Sequence, residues 1–203
     1  FILCSPHNPV GRVWTMEELT RLNDLCSRYH VLVFSDEIHS DLVFPGHKHI
    51  PYQTVNQDAA GRSVTAMAPS KTFNIAGMIG SFHVIYSDYL RDRITRYGNA
   101  THYNEMNVLS MHALIGAYKP EGSQWLEELR TVLEENARYA VDFIRENFHG
   151  VDVSMPQGTY MIFLDCTKYC EEAGITIDQL LKAGWDVGVG WQDGRPFGGP
   201  CHI

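Results

Sequence analysis

A lysine, an aspartate and an asparagine each lie just beyond a short apolar stretch of this 203-residue chain. They are Lys71, Asp36 and Asn8. A lysine amine can form a Schiff base with an aldehyde, and a carboxylate can pair with a protonated ring nitrogen. An asparagine amide can donate a hydrogen bond to a hydroxyl oxygen on the same ring. A protein needs these groups to hold pyridoxal phosphate, so the sequence predicts pyridoxal 5′-phosphate as the cofactor.

The three positions point to one site because each follows a predicted strand. In open α/β sheets, ligands bind beyond the carboxyl ends of the strands. Taken singly, each residue has an ordinary structural explanation. A lone lysine is usually a solvated charge, a carboxylate at a strand end often caps a loop, and Asn8-Pro9 is a common turn. Their combination on three separate strands favours one shared site, with Lys71 as its catalytic residue.

His39 and Ser70 are two further candidates for binding the cofactor. His39 follows Asp36 by three residues. A loop histidine is more often a polar bystander than a ligand, but its position beside the predicted ring keeps His39 as a candidate. Ser70 directly precedes Lys71 and offers a hydroxyl. The ten histidines show no metal-binding pattern, since His47-Lys48-His49 lacks helical spacing and a nearby carboxylate, and we predict no metal site.

Composition excludes several function classes. Hydrophobic residues make up 44% of the chain and charged residues 20%, which is typical of globular domains with a core. The formal net charge of −8 and the lack of a basic stripe argue against nucleic acid as a partner. No apolar run approaches the roughly 20 residues of a membrane-spanning helix, so we expect no membrane partner. Five dispersed cysteines without a C-x-x-C pair indicate reduced thiols and a cytoplasmic location.

Strands and helices alternate along the first half of the chain. Thr15 and Glu18 form a capping-box pattern that predicts the start of a helix. The run 31–34 is continuously apolar, which predicts a parallel strand covered on both faces. Residues 41–61 are rich in turn signals and are predicted to be a loop. Further predicted strands cover 1–4, 63–67 and 80–86, and further predicted helices cover 88–97, 104–118 and, after an interruption at Pro120, 125–148.

The second half changes to short strands, predicted over 151–154, 160–165 and 186–189, around a helix near 176–183. This pattern indicates an α/β fold: a mainly parallel sheet with helices on both faces, followed by a smaller α+β unit. We predict that residues 1–118 form part of the larger domain. Residues 119–203 are predicted to form the smaller domain.

With these motifs in place, the chain resembles the fold-type I pyridoxal-phosphate enzymes of the class I and II aminotransferase superfamily. Three motifs carry the resemblance: Asn8-Pro9-x-Gly11, Ser35-Asp36-Glu37 and Ser70-Lys71-Thr72. Within the superfamily, residues 35–41 and 69–77 resemble the cystathionine β-lyase-like carbon–sulfur lyases. That branch has a histidine, here His39, where transaminases usually place a tyrosine. Residues 156–165 look like its substrate-side strand.

The resemblance implies part of the large domain of the pyridoxal-phosphate-dependent transferase fold. It implies a carbon–sulfur β-lyase acting on cystathionine or cysteine S-conjugates and releasing pyruvate, ammonia and a thiol. The alternatives are an amino-acid aminotransferase with the same cofactor residues, or a regulatory protein that keeps the fold without the chemistry. In an enzyme, the resemblance makes Lys71 the Schiff-base lysine and general base, and Asp36 the partner of the pyridine nitrogen. Asn8, with His39 as a second candidate, would bind the ring oxygen.

The resemblance also implies an amino-acid substrate and a homodimer in the full-length enzyme. The chain departs from the family pattern at the phosphate end of the site. Ile79 stands where an arginine is common and Ala68 where a serine is common, so Ser70 is the nearest hydroxyl. Phe1 lies within an apolar strand and the stretch 198–203 looks interrupted, so we expect a fragment. We expect the parent enzyme to be active and these 203 residues to be inactive by themselves.

Overall fold

The computed structural model describes all 203 residues, which form six strands and eight α-helices. The strands are β1 (Ile2–Cys4), β2 (Val33–Asp36), β3 (Ser63–Met67), β4 (Phe82–Val84), β5 (Asp152–Val153) and β6 (Leu164–Asp165). The helices are α1 (Met16–Arg28), α2 (Gln57–Arg62), α3 (Pro69–Thr72), α4 (Asp88–Thr101), α5 (Val108–Ala117), α6 (Pro120–Asn147), α7 (Thr167–Ala173) and α8 (Ile177–Asp186). None of the helices combines the length and the apolarity that a bilayer crossing requires.

The main sheet has the strand order β1-β2-β3-β4. β1, β2 and β3 run parallel, and β4 pairs antiparallel with β3. The predicted α/β class with a mainly parallel sheet is therefore confirmed. A core of six buried side chains fills the space between this sheet and helices α1 and α2: Leu3, Leu19, Cys26, Val33, Tyr52 and Ala59.

Helix α1 begins where the capping-box pattern predicts. The Thr15 hydroxyl accepts a hydrogen bond from the Glu18 N–H at 3.3 Å. The Glu18 carboxylate accepts one in return from the Thr15 N–H at 3.0 Å. These bonds satisfy backbone donors that a helix start leaves free, which fixes the point where the chain turns back from β1.

The prediction for β2 is wrong in position and in burial. The strand begins at Val33 because the Val31 N–H instead donates to the Cys26 carbonyl at 2.8 Å, at the end of α1. Phe34 is 40% exposed, so the strand is not covered on both faces. The predicted loop 41–61 is also partly wrong, because Asn56 caps a short helix, α2, by accepting from the Ala59 N–H at 2.8 Å.

Three predictions for the second half are corrected. Pro120 does not interrupt a helix but begins α6, at the first-turn position where a missing N–H costs nothing. The predicted strand 186–189 is the end of α8 and a turn, in which the Val189 N–H donates to the Gly184 carbonyl at 2.8 Å. Helix α7 replaces a stretch for which no element is predicted, and the predicted strand 160–165 shortens to β6.

Residues 156–159, the bridging segment, join the second half to two loops of the first half. The Gln157 N–H donates to the Gly11 carbonyl at 2.8 Å, and the Thr159 N–H donates to the Leu42 carbonyl at 2.7 Å. The Gln157 side-chain oxygen accepts from the Val13 N–H at 2.7 Å. The loops after β1 and β2 are therefore held by the same short stretch. The division into domains at residue 118 stays a prediction.

Gly158 in the bridging segment leaves no space for a side chain. An added Cβ would lie 2.5 Å from the Leu42 carbonyl oxygen and 3.2 Å from the Val43 Cα. Since both are backbone atoms, we expect Gly158→Ala to lower the free energy of unfolding by about 1–3 kcal/mol, measured by urea titration. The matched control is Gly61→Ala in α2, where a Cβ meets nothing within 4 Å. That variant should be neutral or more stable by up to about 1 kcal/mol, and equal stability of the two variants would contradict this account.

Candidate functional site

The register of the parallel strands determines where the candidate residues lie. Cys4 pairs with Asp36, and Asp36 pairs with Ala66, so β1, β2 and β3 end side by side. The pairing continues one residue further, where the Ser5 N–H donates to the Asp36 carbonyl at 3.0 Å and the Glu37 N–H donates to the Ala66 carbonyl at 2.9 Å. The three loops that carry the predicted site residues therefore start from one edge of the sheet.

Asp36 and His39 lie in the turn that follows β2. One carboxylate oxygen of Asp36 accepts from the Ile38 N–H at 3.3 Å, and no other hydrogen bond engages this carboxylate. The His39 side chain is buried, with 1% of its surface exposed. Both of its ring nitrogens lack a hydrogen-bond partner. A buried imidazole normally has a partner for its N–H, so His39 leaves an unused donor or acceptor at this edge.

The charges around His39 show which candidates are brought together. Burial lowers the pKa of His39 below its ordinary value of 6.5. The carboxylate of Asp36 opposes this shift, and the positive charge of Lys71 adds to it. All three groups therefore lie within electrostatic range of one another, and the neutral form of the imidazole is favoured.

Lys71 lies in helix α3, which has only four residues. Its amine makes no hydrogen bond and no ion pair with any part of the protein. The neighbouring Phe73 packs against Trp125 and Tyr118, with ring centroids 5.6 Å and 6.0 Å away. The helix is therefore fixed by its neighbours while the amine stays free.

Asn8 is connected to this group through Cys4. The Cys4 sulfur accepts a hydrogen bond from the Asn8 N–H at 3.4 Å. Burial raises the pKa of the Cys4 thiol, and the Asp36 carboxylate raises it further. The thiol therefore lies between the Asn8 backbone and Asp36. The Asn8 side chain is half-buried and forms no hydrogen bond within the protein.

The structure gives Ser70 and Ile79 different surroundings. Ser70 is half-buried in α3, and its carbonyl accepts from the Ile75 N–H at 3.0 Å, while its hydroxyl has no partner. No contact joins that hydroxyl to Asp36, His39 or Asn8. Ile79 is 80% exposed, so its side chain does not enter the site.

Sequence reasoning missed a buried carboxylate beneath the site. Glu37 has no exposed surface and accepts three hydrogen bonds. The donors are the Ser35 hydroxyl at 2.8 Å, the Tyr52 N–H at 2.9 Å and the His49 ring at 2.7 Å. The signal in the sequence was the acid directly beside Asp36, but nothing there indicates the distant Tyr52 and His49.

Tyr160 is a second residue that sequence reasoning did not assign to the site. Its ring centroid lies 5.5 Å from that of His39. The preceding Thr159 has φ of +70°, a conformation that is rare for a β-branched residue. The bridging segment therefore places an aromatic ring from the second half of the chain against the candidate site.

The chain matches known proteins over nearly its whole length. The family described as aminotransferase class I and II matches residues 1–198. Cystathionine beta-lyase PatB of Bacillus subtilis (strain 168) is 40% identical over 184 residues, covering 91% of this chain and 47% of that protein. The chain therefore spans about half the length of the curated relatives it matches.

Two solved structures extend this likeness to the fold. Cystalysin from Treponema denticola, described as containing a pyridoxal 5′-phosphate cofactor, is 32% identical with a TM-score of 0.90, covering 99% of this chain and 50% of that one. The pyridoxal-phosphate-bound C–S lyase from Staphylococcus hominis is 34% identical with a TM-score of 0.78, covering 86% of this chain and 44% of that one.

The buried His39 makes stability depend on pH. Because its pKa in the folded state lies below 6.5, the unfolded chain binds more protons as the pH falls below that value. Stability contributed by the neutral imidazole is present above pH 6.5 and is lost as the pH falls through the folded-state pKa. We expect His39→Phe to keep the packing and to abolish this loss, so its stability relative to the original protein rises from pH 7.5 to about 5.

Urea titrations at several pH values measure this difference. The same substitution at the exposed His47 is the control for removing one histidine from the chain. A His39→Phe variant whose relative stability does not change with pH would contradict the buried, neutral imidazole.

Proposed function

The chain belongs to the class I and II aminotransferase family, and on this premise we propose that it binds pyridoxal 5′-phosphate through Lys71. The observation that carries the proposal is a set of polar groups without partners at one sheet edge. The set comprises the Lys71 amine, both ring nitrogens of His39 and the side chain of Asn8. Polar groups in such a position are usually satisfied, and a bound polar ring would satisfy them.

The fit is good at the ring end of the cofactor. A buried donor without an acceptor costs about 1–3 kcal/mol, and a ring oxygen is an acceptor that His39 or Asn8 could use. Asp36 keeps a carboxylate oxygen free for a protonated ring nitrogen. For the phosphate, the described residues offer the free hydroxyl of Ser70 beside Lys71.

Each residue has a distinct part in the proposed chemistry. Bound pyridoxal phosphate supplies an acceptor for the electrons left at the α-carbon of an amino acid when a proton is removed. Lys71 first holds the aldehyde carbon by its amine, and the freed amine then takes the proton from the α-carbon. Asp36 holds a proton on the pyridine nitrogen by its negative charge. Asn8 and His39 hold the ring oxygen and fix the plane of the ring.

We propose that the complete gene product is a carbon–sulfur β-lyase acting on cystathionine or cysteine S-conjugates. Breaking the bond between the β-carbon and sulfur gives pyruvate, ammonia and a thiol. The proposal is supported by the names of the relatives that are 40% and 34% identical, a cystathionine β-lyase and a C–S lyase. His39 at the third position after Asp36 supports it as well.

The second candidate is an amino-acid aminotransferase, which is favoured by the description of the matching family. The two activities share Lys71, Asp36 and Asn8 and differ in the fate of the same α-carbon. We further propose that the gene product is a cytoplasmic homodimer with an amino-acid substrate. Residues 1–118 would then be part of the cofactor-binding domain and 119–203 part of the smaller domain.

Product analysis separates the two candidate reactions. With L-cystathionine, the complete gene product should release pyruvate and a thiol without any added keto acid. Lys71→Ala should lower this rate by at least about 1000-fold, because it removes both the covalent anchor and the base. Lys48→Ala, at an exposed position, is the matched control. Turnover that requires a keto acid would favour the aminotransferase, and full activity of Lys71→Ala would refute both.

Asp36 has a separable effect, since it acts on the ring nitrogen and not on the covalent bond. We expect Asp36→Ala to retain cofactor attached to Lys71, detected by borohydride trapping and peptide mass spectrometry. Its turnover should fall about 100-fold, because a charge placed against the reacting system is lost. Asp24→Ala on the exposed face of α1 should change neither quantity. Unchanged turnover of Asp36→Ala would remove Asp36 from the site.

A further inference from the structure

Helix α3 has too few residues to be stable by itself. Its four residues make about one turn, whereas isolated helices need roughly 12–15 residues to persist in water. Its N-cap residue, Ala68, has no side chain that can accept a backbone hydrogen bond. The orientation of Lys71 must therefore come from contacts between α3 and the rest of the protein.

One side-chain hydrogen bond anchors this helix. The Thr72 hydroxyl donates to a carboxylate oxygen of Asp41 at 2.9 Å. Thr72 is 1% exposed, so the bond is shielded from water at that end. No other hydrogen bond or ion pair engages the Asp41 carboxylate. A hydrogen bond to a charged acceptor in such a place contributes about 1.5–3 kcal/mol.

The bond connects two separate parts of the candidate site. Asp41 lies two residues beyond His39, in the same turn, where the Leu42 N–H donates to the His39 carbonyl at 3.0 Å. Thr72 directly follows Lys71. The contact therefore links the loop that carries Asp36 and His39 to the turn that carries the amine, across 31 residues of sequence.

We propose that Thr72 and Asp41 are positioning residues, which hold the Lys71 amine at a fixed distance from Asp36 and His39. This inference rests on the proposed function, because the distance matters only if one ligand contacts both loops. Neither positioning residue touches the reacting atoms. The packing of Phe73 against Trp125 and Tyr118 keeps the helix folded, while the hydrogen bond sets its position relative to the loop after β2.

The test compares variants of the complete gene product. Thr72→Val keeps the shape of the side chain and removes the donor, whereas Thr72→Ser keeps the donor. Asp41→Ala removes the acceptor, whereas Asp41→Asn keeps an oxygen that can accept from the hydroxyl. We expect Thr72→Val and Asp41→Ala to bind pyridoxal phosphate about 10-fold more weakly, and Thr72→Ser and Asp41→Asn to bind it within about 3-fold of the original protein.

Two measurements besides catalytic activity report the result. Borohydride trapping at a series of cofactor concentrations, followed by peptide mass spectrometry, gives the affinity at Lys71. The pH at which the visible absorbance of the bound cofactor changes reports the charges around the amine. We expect this midpoint to shift in Thr72→Val and Asp41→Ala, because the amine moves relative to Asp36 and His39.

Thr65→Val is the matched control. Thr65 is also fully buried, and its hydroxyl also donates to a side-chain oxygen, that of Gln53. We expect this variant to lose thermal stability without any change in the absorbance midpoint. The double variant Thr72→Val with Asp41→Ala should bind no more weakly than either single variant, since both remove one interaction.

The outcomes separate this inference from the proposed function. If the original protein does not acquire cofactor at Lys71, the proposed function fails. If it does, and Thr72→Val has the same affinity and absorbance midpoint, the positioning role is wrong. Should Thr72→Val fail to fold, Asp41→Ala and Asp41→Asn decide: equal affinities of these two overturn the inference, and weaker binding by the alanine variant alone supports it.

Discussion

The backbone hydrogen bonds that join β1, β2 and β3 in register place the candidate site. Because Cys4, Asp36 and Ala66 lie side by side, every loop that leaves this edge starts within a few ångströms of the others. Parallel pairing leaves no freedom here, since a shift of one residue would turn each strand's side chains to the opposite face. A carboxylate, an imidazole and an amine that are far apart in sequence thereby reach one small volume without any metal or disulfide to hold them.

Polar groups near this edge fall into two sets with different partners. Glu37 is completely buried and accepts hydrogen bonds from Ser35, Tyr52 and His49, so it stabilises the loop after β2 from beneath. The neighbouring His39 is equally buried but has no partner for either nitrogen. The protein thus meets the cost of a buried carboxylate in full while leaving an imidazole unsatisfied two residues away. Such a contrast is expected where structural support and ligand contact lie in adjacent layers.

Sequence patterns were sufficient to predict Lys71, Asp36 and Asn8 as a group, because strand ends in an α/β sheet are recognisable from apolar runs. The capping box of α1 is likewise local. What could not be predicted depends on distant contacts. The Cys4 sulfur between Asn8 and Asp36, the Thr72–Asp41 bond and the Tyr160 ring beside His39 each require the folded arrangement. The start of β2 was misplaced for a similar reason, since the end of α1 competes for the Val31 N–H.

The bridging segment also determines when the site can be completed during synthesis. The bond from Val13 to the Gln157 side chain spans 144 residues, so the loop after β1 leaves the ribosome long before its partner exists. Contacts of such long range form late and slowly in folding. The loops that carry Asn8 and His39 thus stay unrestrained until most of the chain has emerged. Assembly of the site is a late event in the maturation of the protein.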